Sequence, residues 1–123
     1  MKNFNLTLGV SEALKIYPFE VVSQDKNTNK LNITLVNDKR GQFYDLTGTT
    51  VILYFKREDE ERFQQYATIT RPREGQIEII LDTDIIEKRG NVFAEVAIYT
   101  GEETKCTSQL FAFRVRKNIK TVS

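Results

Sequence analysis

Which reactions a chain can run depends first on which side chains it has. This chain of 123 residues contains no histidine and one cysteine. Histidine is the usual general acid and base near neutral pH, so its absence removes the common catalytic triads and most zinc sites. Cys106 lies between Lys105 and Thr107, with no imidazole to raise its thiolate fraction, and reads better as a strand-edge thiol than as a nucleophile. Asp82 and Asp84 have the spacing that opens a calcium loop, but Ile85 and Ile86 follow where more oxygen ligands are required. Helix capping explains the two carboxylates better. The acidic run Glu58, Asp59, Glu60 and Glu61 is balanced by Lys56, Arg57 and Arg62, as in a solvated loop. Asp38, Lys39, Arg40 and Gly41 lack the spaced glycines and following helix of a phosphate-binding loop. The expectation is a protein that is not an enzyme and uses no metal or cofactor.

Binding chemistry is narrowed in the same way. The net charge is +1, from 18 basic and 17 acidic residues, and the two signs are interleaved, so no global field draws in nucleic acid or an anionic membrane. Arg71 and Arg73, with Arg114, Arg116, Lys117 and Lys120, are few and are not interspersed with stacking aromatics. Nucleic acid is not an expected partner. No segment approaches the roughly 20 apolar residues of a membrane span, and Met1 to Val10 does not read as a signal peptide. A lone cysteine forms no internal disulfide, which fits assembly in a reducing cytoplasm. Glycan recognition favours flat aromatic platforms. Tryptophan is absent, leaving Phe43, Tyr44, Phe63 and Tyr66 as platform candidates that read more readily as loop anchors.

The elements that must position these residues follow a period of two, carried by β-branched and aromatic residues between Gly, Asn and Asp. Leu31, Ile33 and Leu35 alternate with Asn32 and Thr34, giving a half-buried strand. Val51 to Phe55 is apolar on both faces and reads as a central strand. Residues 37–41 form a turn, and 56–62 either a hairpin tip or one helical turn. Tyr66 to Thr70 and Gln76 to Leu81 read as an antiparallel pair across the loop 71–75, with Ile77, Ile79 and Leu81 inward. Asp82 or Thr83 can cap a short helix over 84–89, ended by Gly90. Val92 to Thr100 and Thr107 to Arg116 form a closing hairpin whose core residues are Val92, Ala94, Val96, Ile98, Phe111, Phe113 and Val115. At the start, Phe4, Leu6 and Leu8 alternate like an edge strand, while Ser11 to Leu14 could instead cap a brief helix ended by Pro18. The fold expected is all-β: an antiparallel β-sandwich, immunoglobulin-like or a related Greek key, over residues 1–116 with one short helical crossover, then a tail or linker over 117–123.

One surface is too apolar to leave in water without cover. The outward positions of the closing hairpin are Phe93, Ala97 and Tyr99 on one strand and Leu110 and Ala112 on the other. Together with Phe4, Leu6 and Leu8 of the opening strand they are the candidate interface. The cover is either another part of the same chain or a second subunit.

The order of segments resembles the N-terminal domain of the phage baseplate upper protein family. The resemblance runs from about Lys30 to Val115. It is carried by KLNITLVNDKRGQFYDLTGTTVILYFKRED (Lys30 to Asp59), by GQIEIILDTDIIEKRGNVFAEVAI (Gly75 to Ile98) and by the closing FAFRV strand. It implies a structural part of the virion tail tip, assembled in the bacterial cytoplasm. Such domains dock to the distal tail hub, self-associate, and lead through a helical linker to a part that carries receptor-binding proteins. On that reading the chain is the N-terminal domain of a longer protein, or a short member lacking the distal part. The alternative is a carbohydrate-binding adhesin module.

Overall fold

The computed structural model describes residues 2–10, 15–22, 29–37, 42–108 and 110–116. In a four-stranded sheet, β1 (Lys2–Gly9), β3 (Asn29–Val36), β7 (Gln76–Ile80) and β6 (Thr68–Arg71) lie side by side in that order. In a six-stranded sheet the order is β2 (Lys15–Val22), β10 (Phe111–Arg116), β8 (Gly90–Thr100), β4 (Thr50–Arg57) and β5 (Arg62–Tyr66), with β9 (Glu103–Thr107) also paired to β8. The inner faces follow the sequence alternation. Leu6, Leu8, Leu31, Ile33, Leu35, Ile77 and Ile79 of the first sheet are buried in one cluster with Val51, Leu53, Phe55, Val92, Val96, Ile98, Phe111, Phe113 and Val115 of the second. A sandwich follows because each sheet has one apolar face to hide and the other sheet hides it.

The sheets are mixed rather than wholly antiparallel. β1 runs parallel to β3, and β2 parallel to β10. Both β1 and β2 are edge strands whose chain neighbours lie in the opposite sheet, and only a hairpin obliges successive strands to run antiparallel. In β2 the register slips between Ala112 and Arg114, which face Ile16 and Glu20. Pro18 lies inside that slip, at a sheet edge where its missing N–H costs no ladder bond. The alternative of a brief helix over 11–14 falls outside the described residues, as do most of the turn at 37–41 and the tail at 117–123.

Three local expectations change. Residues 66–70 are not one strand: the chain breaks at Ala67, whose N–H donates to the Val51 carbonyl at 2.9 Å. Before this corner it pairs with β4, and after it with β7. Residues 82–89 form consecutive turns, not a helix. Their i+3 bonds lengthen from Ile85–Asp82 at 3.1 Å to Glu87–Asp84 at 3.5 Å, and the Asp84 carbonyl accepts from Arg57 instead of continuing a helical ladder. Ile85 and Ile86 are nonetheless buried, so the crossover closes one side of the core without helical geometry. The loop 71–75 holds a 3₁₀ turn over Pro72–Glu74, stopped by Gly75 at φ 65°, where a side chain would collide with the Leu35 carbonyl oxygen.

The return strand of the closing hairpin is also interrupted, after Thr107. Ser108 repairs the ladder: its N–H donates to the Val96 carbonyl at 2.7 Å, and its hydroxyl accepts from the Val96 N–H at 2.9 Å. A buried polar residue thus keeps both Val96 backbone groups paired across the break.

Two contacts tie the sheets beyond aliphatic packing. Phe4 of β1 stacks on Phe19 of β2 at 4.6 Å, and Phe19 on Phe113 of β10 at 5.2 Å, so an aromatic file runs from one sheet to the other. At the opposite edge Gln65 of β5 donates to the Ile80 carbonyl and accepts from the Asp82 N–H, at 2.9 and 3.0 Å.

Arg57 anchors the crossover. It is 7% exposed, lies 4.9 Å from the Phe63 ring centroid, and donates to both Asp59 carboxylate oxygens at 3.0 and 2.8 Å. Its third bond, 2.7 Å long, goes to the Asp84 carbonyl. The loop at 56–62 is therefore a hairpin tip whose second residue points inward, rather than a wholly solvated one. The Arg57 guanidinium holds the Asp59 carboxyl below the usual aspartate range, with help from the Glu61 N–H and Lys88.

Phe113→Ala is expected to cost roughly 3 to 5 kcal/mol in chemical denaturation, because it opens a cavity at the end of the aromatic file. A loss below about 1 kcal/mol would contradict the inward placement of this ring. For Asp59 the folded carboxyl binds its proton less readily than the unfolded one. The stability it contributes is present above the ordinary aspartate pKa and lost as pH falls through the lowered one. Asp59→Asn should flatten that part of the acid-side stability curve, and an unchanged curve would show that the pairing contributes nothing.

Candidate docking face

Outward positions on the six-stranded sheet follow from its register. Ile52 faces Ala97 and Tyr66, Tyr54 faces Glu95 and Gln64, Lys56 faces Phe93 and Arg62, and Phe93 faces Ala112. The middle of this face is mostly apolar, with Glu95 set between Phe93 and Ala97. Ala97 and Ala112 are 2% and 4% exposed although they point away from the core, since small side chains among larger ones lie below the general surface. Phe93, Leu110 and Tyr66 stand out at 37%, 44% and 69% exposed. An open groove of about 680 Å³ runs past Tyr54, Lys56, Arg62, Phe93, Glu95 and Leu110.

Tyr54 and Tyr99 share a hydrogen bond of 2.6 Å between their hydroxyls. The bond, then partial burial, hold the Tyr54 phenol above the ordinary tyrosine range. Tyr54 lies opposite Glu95 and Tyr99 opposite Thr50, so the two rings reach toward each other along neighbouring strands and are held at their hydroxyl tips, an amphipathic surface of the kind favoured at protein contacts.

The eight interface candidates divide into two groups. Phe93, Ala97, Tyr99, Leu110 and Ala112 come together on this outer face. Phe4, Leu6 and Leu8 do not join them: Leu6 and Leu8 are in the core, and Phe4 stacks on Phe19. The opening strand presents Asn3, Asn5 and Thr7 outward instead. Ile52, Tyr54 and Tyr66 belong to the face but were not among the candidates. Their alternation within strands 50–57 and 62–66 carries the signal, but only the pairing of β4 to β8 reveals the shared side. Of the glycan-platform candidates, Tyr44 and Phe63 pack against the core, whereas Phe43 and Tyr66 are exposed.

The other outer face is of opposite character. Asn32 donates its side-chain amide to Asn3 and Asn5 at 3.3 and 3.2 Å, and Lys30 pairs with Glu78 at 2.7 Å. A groove of about 380 Å³ there is lined by Asn5, Thr7, Asn32, Thr34, Thr70 and Gln76, among others.

Two facing sheets, mixed in direction and apolar on one outer side, define an all-β sandwich domain. The family model of the BppU N-terminal domain matches residues 2–123, well beyond the span of 30–115 that carries the resemblance in sequence. The chain belongs to this family, the N-terminal domains of baseplate upper proteins, and is a structural component of a tailed-phage baseplate. The N-terminal domain of phage TP901-1 ORF48 is similar in fold, with a TM-score of 0.74 at 14% identity, covering 95% of this chain and 100% of that chain. No curated protein matches. Among the described residues no helix is long and apolar enough to cross a membrane.

Spectrophotometric titration of tyrosinate should show one phenol ionising above the ordinary range. Tyr99→Phe should return it toward that range while leaving the fold intact. The raised value means that this pair stabilises the fold below the ordinary tyrosine pKa, and that the contribution is lost as pH rises through the raised one. Unchanged titration in Tyr99→Phe would disprove the pairing.

Proposed function

We propose that the outer face of the six-stranded sheet is the surface by which this domain holds its place in the baseplate, against further copies of itself and the distal tail hub. The domain acts by binding and not by catalysis, and is assembled in the host cytoplasm. A part C-terminal to it carries the receptor-binding protein. The observation that carries the reading is the exposed cluster of Phe93, Leu110 and Tyr66 around the Tyr54–Tyr99 pair. An apolar surface of this kind, with Glu95 set between Phe93 and Ala97 and with Lys56 and Arg62 to one side, has the mixed apolar and polar composition of a protein interface. Family membership supports the choice of partners.

A carbohydrate-binding reading has one observation in its favour, the uncharged amide and hydroxyl groove of the four-stranded sheet. No aromatic ring lines that groove: the exposed Tyr66 lies on the opposite face, and the exposed Phe43 lies beyond it, bridged to Val36 at the end of β3. A glycan array with no signal would dispose of it.

The docking reading is tested with Phe93→Ser combined with Leu110→Ser. Both side chains are already partly in water, so the melting transition should move little, while light scattering should show loss of self-association and mixing experiments loss of hub binding. Assembly at wild-type strength in the double variant would overturn the assignment of this face.

A further inference from the structure

One end of the same six-stranded sheet carries a different chemistry. Arg114 and Arg116 point outward from the last strand, and Arg89 lies in the exposed turn that leads into β8. They line an open groove of about 840 Å³ together with Asn91, Glu20 and Glu58. Register explains the convergence: Arg114 lies opposite Asn91 on one side and Glu20 on the other, and Val115 lies opposite Gly90. Gly90, at φ 132°, has no side chain and gives room to the Glu58 carboxylate, which lies over it.

Among the described residues, none of these three arginines closes a salt bridge or side-chain hydrogen bond, although two carboxylates share the groove. The contrast is with Arg57, whose donors are satisfied by Asp59 and Asp84. A guanidinium offers five donors in a fixed fork that matches a carboxylate in two-point fashion. Three such forks in one groove have unused capacity for anions.

We propose that this groove binds an acidic segment of a partner protein, with carboxylates seated on Arg89, Arg114 and Arg116. The mixed lining favours a peptide over a polyphosphate. A continuous row of phosphates would be repelled by Glu20 and Glu58, whereas a peptide can place its carboxylates on the arginines and a neutral or basic residue beside the glutamates. The groove is independent of the apolar docking face, although the two adjoin through Phe93 and Asn91 on one strand.

The test is a nuclear magnetic resonance titration of the isotope-labelled chain with hexaglutamate at low ionic strength, with single-stranded hexathymidylate as the phosphate arm. Hexaglutamate should shift the side-chain Nε–H signals of the three arginines and the backbone signals of 89–91 and 114–116. Binding should weaken roughly tenfold in the double variant Arg114→Gln, Arg116→Gln and fade at high salt. Arg89→Gln, in an exposed turn, gives a second and smaller loss should the double variant fold poorly. Phe93→Ser with Leu110→Ser should bind hexaglutamate as the wild type does, so failure of the groove and failure of the docking face are read separately. Shifts that avoid the arginines, undiminished binding by the arginine variants, or tighter binding of hexathymidylate would overturn the proposal.

Discussion

Burial of the β4–β8 pair against β3 and β7 is the contact on which the other features depend. β8 is the longest strand, at 11 residues, and it pairs with β4 along one side and with β9 and β10 along the other. Val92, Ala94, Val96 and Ile98 of β8 all point into the core, so a one-residue slip would turn four apolar side chains toward water and four outward ones inward. Register is therefore fixed at the centre, and the edges adapt to it. The corner at Ala67, the Ser108 repair and the slip around Pro18 are all places where the chain yields while β4 and β8 do not. Arg57 extends the same constraint to the crossover. It ends β4, and its bond to the Asp84 carbonyl sets where Ile85 and Ile86 enter the core.

A buried guanidinium is costly unless its donors are met. Here Asp59 lies two residues further along the same hairpin, so the tip that carries the counter-ion forms with the strand that carries the cation. A local ion pair between residues so near in sequence loses little chain entropy on closing. The long-range member is the Asp84 carbonyl, a backbone group that the turn leaves available.

Much of this arrangement was legible in the sequence where the signal was local. The alternation of 31–35, 77–81 and 92–98 identifies those strands and their inner faces, the apolar run 51–55 identifies a central strand, and Gly101 marks the closing hairpin. The absence of histidine pointed away from catalysis. What was not legible depended on contacts distant in sequence. The alternation of Tyr66 to Thr70 is the same whether the segment stays in one sheet or changes sheets at Ala67. Capping residues at 82–84 have the same composition whether a helix follows or Arg57 takes the carbonyl. Phe4, Leu6 and Leu8 are apolar enough for an interface, but the sequence does not declare their direction: the parallel pairing of β1 with β3 turns them inward. Ile52 and Tyr54 were hidden for a related reason, since a strand apolar on both faces does not declare which side meets another sheet.

The two outer faces then separate by how far each satisfies itself. On the four-stranded sheet the amide of Asn32 bonds Asn3 and Asn5, and Lys30 meets Glu78, so the polar groups have partners and water covers the rest at little cost. At the centre of the six-stranded sheet, among the described residues, Tyr54 and Tyr99 share a hydroxyl hydrogen bond that joins their tips without hiding the rings. Phe93 and Leu110 gain nothing from remaining in water, and packing them inward is barred because Val92, Ala94 and Phe111 already occupy the inner positions of the same strands. A sheet buried on one side by its own fold and apolar on the other can lower its free energy further only by meeting a second surface. On the proposed reading that surface belongs to a neighbour in the baseplate, and the three arginines at the end of the same sheet, unpaired among the described residues, add the directional charge that an apolar contact lacks.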